Sequence, residues 1–239
     1  DKINDILEGS IPATLKRMTI PMIFGMITLM MFNLVDTFFI SMLGTEQLAA
    51  VSFTFPVTFT VISLAIGLGI GSSAVIAKAL GSGNIEEARF DATVALLISA
   101  VFVFCLSIIG YLLIEPTFYL LGPNDDVMPY IYDYISVWFL GSVFLITPMI
   151  GNSVLRASGD TKTLSFIMGF AGLINAILDP LLIFGVGPFP ELGIKGAAIA
   201  SVIAWSVAVA IILYLLAVKK RLLSLNPGRQ GVIAASKKI

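Results

Sequence analysis

The chain has 239 residues, of which 58% are hydrophobic and 12% charged, with mean hydropathy +1.01, beyond the range of soluble domains on both counts. Its net charge of −1 argues against a nucleic-acid partner and against a generally basic surface. The absence of His removes the commonest metal ligand and general base, and the single cysteine, Cys105, allows no internal disulfide.

In chain order, residues 1–17 form a polar segment expected at the cytoplasmic interface. Six apolar runs follow, at about 18–43, 48–78, 91–114, 130–151, 163–184 and 196–218. Each is long enough to cross roughly 30 Å of hydrocarbon, and in lipid the backbone must satisfy itself within each segment, so all six are expected as helices. The fold class is therefore an all-α integral membrane protein, a bundle of six transmembrane helices at 18–218. The first run is too long for the apolar part of a cleaved signal peptide. Residues 219–239 lose the apolar pattern and are expected as a basic cytoplasmic tail or a linker.

The punctuation between runs fits this layout. Asn84 with Glu87 three residues on resembles a capping box that starts the third helix. Asp160 or Thr161 is expected to cap the fifth. Gly122-Pro123-Asn124-Asp125-Asp126 and Gly185-Val186-Gly187-Pro188-Phe189-Pro190 read as turns at the opposite end. Lys2, Lys16, Arg17, Lys78, Arg89, Arg156, Lys162, Lys219, Lys220, Arg221, Arg229, Lys237 and Lys238 all fall on one side, and Lys195 alone on the other. The positive-inside rule then puts both ends of the chain in the cytoplasm, in a multi-pass protein of the cytoplasmic (inner) membrane.

Two carboxylates stand alone inside apolar runs: Asp36 in the first and Asp179 in the fifth. An acid in hydrocarbon is costly and normally faces a polar interior where it has a function. Asp36 lies seven residues before Leu43, about 10 Å below the outer face at 1.5 Å per residue. Asp179 lies five residues before Phe184 on a span running the same way, so the two share a layer in the outer half of the membrane. Asn175 is one turn beneath Asp179 on the same face, Asn33 lies three residues before Asp36, and Tyr134 enters the layer from the fourth span. Such a pair either shares a proton or holds a cation between its oxygens. For sodium, Asp36, Asp179 and the Asn175 amide oxygen are the candidate ligands. A structural reading also exists, in which a buried acid bonds a neighbouring backbone, because Pro180 frees a carbonyl beside Asp179.

Other features carry two readings each. Pro21 is either a helix-start residue or a kink within the first helix. Met18, Met22, Met26 and Met30 recur every fourth residue, as a soft ligand face or as packing and lipid contact. Gly67, Gly69 and Gly71 with Ser72 and Ser73 suit close helix contact.

Asn33-Leu34-Val35-Asp36-Thr37, Leu43-Gly44-Thr45-Glu46-Gln47-Leu48-Ala49-Ala50 and Gly67-Leu68-Gly69-Ile70-Gly71 together resemble multidrug and toxic compound extrusion (MATE) transporters. Ala79-Leu80-Gly81-Ser82-Gly83, Arg156-Ala157-Ser158-Gly159-Asp160, Asn175-Ala176-Ile177-Leu178-Asp179-Pro180 and Gly193-Ile194-Lys195-Gly196-Ala197-Ala198 extend the likeness over about residues 12–218. The acid pattern is most similar to the prokaryotic damage-inducible-F-like branch. The resemblance implies one six-helix lobe of a two-lobe (6+6) transporter that exports cationic or amphipathic drugs by antiport against sodium or protons. It implies that Asp36, Asn175 and Asp179 bind the coupling cation, with Pro21 bending the first helix and Tyr134 bonding the acid layer. The expected partners are the small-molecule substrate, the lipid bilayer and a second six-helix lobe. No nucleic acid, no cofactor beyond the coupling ion and no catalytic residue are expected. Because the family carries two lobes, a fragment of a longer transporter is expected ahead of a half-size protein.

Three alternatives compete. An intramembrane aspartyl protease would pair Asp133 with Asp160, but these lie at opposite ends of the fourth span. A lipid-linked oligosaccharide flippase of the same superfamily needs cations in its lumen, and no Lys or Arg falls inside any of the six runs. A purely structural or partner-binding membrane subunit, which does not transport, predicts that neither acid titrates unusually.

Overall fold

The computed structural model describes residues 9–223; Lys2, Arg229, Lys237, Lys238 and most of the basic tail lie outside them. Among the described residues the chain is all helical: α1 Ile11–Ser41, α2 Thr45–Gly81, α3 Ile85–Leu112, α4 Ile114–Leu121, α5 Met128–Ala157, α6 Thr161–Ile183 and α7 Ile194–Tyr214. A π-helical turn, Leu215–Lys219, closes α7. Six of these helices are long and apolar enough to cross a membrane. Short α4 was not foreseen. Pro116 cannot donate to the α3 ladder, so the apolar run breaks after Leu112 and restarts with Pro116 in a permissive first turn.

The helix ends follow from local chemistry. Asn84 accepts from Glu87 N at 3.2 Å while its amide donates to Glu87 Oε2 at 2.9 Å, a reciprocal cap at the start of α3. Asp160, rather than Thr161, caps α6: its carboxylate accepts from Thr163 N at 3.4 Å and Thr163 Oγ1 at 2.8 Å. The same carboxylate pairs with Lys220 just beyond the π turn. Gly122 ends α4 in the left-handed region, φ 72. Pro21 lies ten residues inside continuous α1, which overturns its reading as a helix-start residue.

Helix α5 forms the centre, packing on α2, α3 and α7. Trp138 meets Trp205 edge to face at 6.3 Å between centroids. Hydroxyls inside the bundle bond backbone carbonyls a turn back, as Ser72 does to Leu68 O and Ser153 to Met149 O, and Ser107 and Ser142 bond each other between α3 and α5.

Helix α1 is attached differently. It packs mainly on α6, which runs parallel to it, and touches α2 sparingly. Small residues line the α1–α6 seam: a Cβ on Gly25 would lie 3.2 Å from Ser165 Oγ, and one on Gly172 would lie 2.1 Å from the Phe32 ring. Higher up, Ile40 and Ile183 share a small buried cluster with Ala197, and the rings of Phe39 and Phe184 meet at 6.2 Å. Close approach through small residues is the usual means of joining helices in lipid, where apolar surface alone gives no driving force.

Two predictions follow from this packing. A Cβ at Gly196 would stand 2.4 Å from Leu182 O, a backbone atom with no rotamer to escape into, whereas Gly67 has nothing within 4 Å. Gly196→Ala should cost about 1–3 kcal/mol and lower Tm in detergent, and Gly67→Ala should not; equal melting of the two would refute the packing. Asn is as good a cap as Asp, so Asp160→Asn should lose only the Lys220 pair. Asp160→Ala should lose about a further 1 kcal/mol, read as a lower Tm than that of Asp160→Asn.

Candidate functional site

The parallel α1–α6 seam brings the two intramembrane acids together. The two carboxyls are neighbours across the seam, with Tyr134 of α5 beside them. Asp179 is fully buried. Its Oδ1 lies 3.5 Å from Asn175 Nδ2, the outer limit of a hydrogen bond, and its Oδ2 is buried without a partner. Asp36 Oδ1 is likewise buried and unpartnered. Such atoms are uncommon in folded proteins and call for an explanation. No three His, Cys, Asp or Glu side chains cluster among the described residues, so a cation here would draw on two carboxylates and neutral oxygens.

Asn175 differs from the expectation in orientation. Its amide nitrogen, not its oxygen, faces Asp179, and the same nitrogen donates to Ser201 Oγ of α7 at 3.1 Å. In this arrangement Asn175 is a donor to a carboxylate rather than a cation ligand. Tyr134 packs against the Ile40–Ile183 cluster. Asn33 stands on the same cavity wall as Asp36. Pro180 follows Asp179 inside α6, where it removes the N–H that would have bonded the Ala176 carbonyl. Pro21 does the same to Arg17, and its own carbonyl lies within reach of Ser165 Oγ on α6.

Beneath the acid layer runs a cavity of about 460 Å³ between α1, α2, α5, α6 and α7, with Asp36, Asn33 and Asn175 towards one end. Met22 and Met26 line it, whereas Met30 is exposed on the outside, so the methionine stripe divides between cavity and exterior. Gly69 of α2 is held against α5, where a Cβ would lie 2.6 Å from Ser153 Oγ.

The other end carries Asn152, Ser153 and Arg156 of α5, and Trp205 of α7 lines the wall between the two ends. The fourth apolar run was taken to stop at Gly151, but α5 continues to Ala157. Arg156 therefore lies in the last turn of α5, five residues beyond the apolar run, and on the cavity wall. The signal was present as Asn152 and Arg156 at i and i+4 on one helical face. Asp133 and Asp160 sit near opposite ends of α5, about 40 Å apart by helical rise, so the protease arrangement does not form.

The MatE family model matches residues 21–181. Over 218 residues the chain is 48% identical to a FAD transporter of Shewanella oneidensis, covering 91% of this chain and 48% of that protein. It is 36% identical over 163 residues to the probable multidrug resistance protein YoeA of Bacillus subtilis, covering 67% and 35%. Among solved structures, the Vibrio cholerae MATE transporter VcmN aligns with a TM-score of 0.88 at 32% identity, over 99% of this chain and 52% of that one. A MOP superfamily transporter from Pyrococcus furiosus gives 0.87 at 30%, over 97% and 51%. The chain spans about half the length of these structures and half or less of the curated relatives. Six membrane-length helices, the acid pair in their seam and a family match over more than half of the residues converge: the chain belongs to the MatE family.

Proposed function

We propose that this chain is the amino-terminal lobe of a secondary active transporter of the cytoplasmic membrane, exporting cationic or amphipathic compounds by antiport against sodium or protons. The second lobe would complete the substrate cleft. The observation that carries the reading is the Asp36–Asp179 pair, a half-buried and a buried carboxylate that each hold one buried oxygen without a hydrogen-bond partner. A pair in that state gains from any positive charge that enters, whether a proton or a metal ion. The entering charge can then bias the helices that carry the acids between two arrangements, which is what coupling requires. With the Asn175 nitrogen turned towards Asp179, the site as it stands suits a bare or protonated acid. Sodium would need the amide oxygen turned inwards.

A second reading of the substrate has its own support. The relative at 48% identity is named a FAD transporter, and Arg156 on the cavity wall suits an anionic ligand better than a cationic drug. The same arginine weakens the argument against a lipid-linked oligosaccharide flippase. The buried acid pair, for which flipping of an anionic lipid has no evident use, keeps antiport ahead.

The test uses the protein at its full natural length in sealed vesicles under separately imposed sodium and proton gradients. One gradient should drive efflux of an ethidium probe, and Asp36→Asn or Asp179→Asn should abolish that efflux without changing expression. Near-normal efflux with both substitutions combined would sink the mechanism.

A further inference from the structure

The cavity has two ends of opposite polarity, and only the Asp36 end is used by the coupling reading. Its lining spans Met22 to Asp36 on α1, about 20 Å of helical rise. The far end presents a guanidinium, a carboxamide and a hydroxyl, from Arg156, Asn152 and Ser153, while the Trp205 indole lines the wall between the two ends. Among the described residues Arg156 has one hydrogen bond, from Nη2 to Ser153 Oγ at 3.2 Å, and no ion pair. A guanidinium has five N–H donors in a planar fork, so donors remain for a ligand. Asn152 Oδ1 is buried with no donor facing it. Asp36 is the sole acid on the cavity wall among the described residues, and it lies at the opposite end, too far to neutralise Arg156.

We propose that Arg156 and Asn152 form an anion subsite, one that seats the phosphate or carboxylate of an elongated aromatic ligand whose ring lies further along the cavity, towards Trp205. The inference rests on the transporter reading and narrows its substrate class. Arg156 supplies paired donors to two anionic oxygens, the geometry in which arginine surpasses lysine. Asn152 Oδ1 accepts an N–H from the ligand, and the Trp205 indole offers an apolar face further along the cavity for the ligand's ring. A ligand filling the cavity then lies with its anionic group against Arg156 and its neutral or cationic part towards Asp36. The competing explanation is an arginine at the end of a span that sets orientation and complements the negative end of α5, with no ligand at all.

The two explanations separate by equilibrium titration of the full-length protein in detergent with FMN and riboflavin, which differ by one phosphate, followed by flavin quenching. A parallel pair, an aromatic carboxylic acid and its methyl ester, tests the second anion. FMN should bind about tenfold more tightly than riboflavin, as expected for a charge-assisted bond. Arg156→Gln should bring the FMN-to-riboflavin Kd ratio close to one with the riboflavin Kd as internal reference, and Arg156→Lys should fall between. A collapse in the flavin pair alone assigns the subsite to phosphates, and one in the carboxylate pair alone assigns it to carboxylates. Asn152→Asp, which sets a carboxylate beside the guanidinium, should also collapse the ratio and serves if Arg156→Gln does not fold. Equal affinities within both pairs in the unmodified protein, or a ratio that survives Arg156→Gln, overturns the proposal. No gradient is present, so a negative result leaves ion coupling untouched, and a failure of coupling in vesicles leaves the binding result standing.

Discussion

Two carboxylates held together between helices of an apolar bundle are the constraint around which the lobe is arranged. Removing a charged or polar group from water without a partner is costly, so the fold must gain elsewhere what it loses at Asp36 and Asp179. The gain comes from the seam that brings them together. Gly25 and Gly172, with Ser165 opposite, let α1 and α6 approach closely, and Phe32 fills the space a side chain at 172 would have taken. Above the acids, Ile40, Ile183 and Ala197 close the layer with fully buried apolar contact. The acids are thus set between a small-residue seam below and an aliphatic plug above.

Much of this was legible in the sequence because the signals are local. Hydropathy gives each span, and helical rise converts a residue count into depth, so Asp36 and Asp179 could be placed in one layer without knowing the packing. The caps at Asn84 and Asp160 were legible for the same reason. What escaped depended on neighbours or on where a helix truly ends. Asn152 and Arg156 end an apolar run without ending the helix, because a polar face turned to a cavity interrupts hydropathy but not the backbone ladder. Helix α4 was hidden in the opposite way, as Pro116 divides a stretch that is apolar on both sides of Glu115-Pro116-Thr117. The direction of the Asn175 amide is set by Ser201 on another helix, and no sequence pattern carries that.

The prolines sharpen the same distinction. Pro21, Pro56, Pro148 and Pro180 all stand inside helices that border the cavity. Each removes one ladder bond and leaves one carbonyl for another partner. From sequence such a residue is ambiguous between an end and an interruption. At Pro21 the freed carbonyl is that of Arg17, and α6 meets the same stretch of α1 through Ser165 at the carbonyl of Pro21 itself.

The attachment of α1 links the acid pair to the cavity. This helix supplies the wall from Met22 to Asp36, yet its substantial packing within the lobe is against α6, along the seam that contains both carboxylates. A charge added between the acids acts on the contact by which α1 is held. A ligand that fills the cavity presses on the same helix from the other side. Two events that both change the free energy of one α1–α6 arrangement are thermodynamically coupled, and each must alter the other's affinity by the same factor. No separate pathway is needed between a charge at the acids and a ligand in the cavity, because α1 both carries Asp36 and lines the cavity.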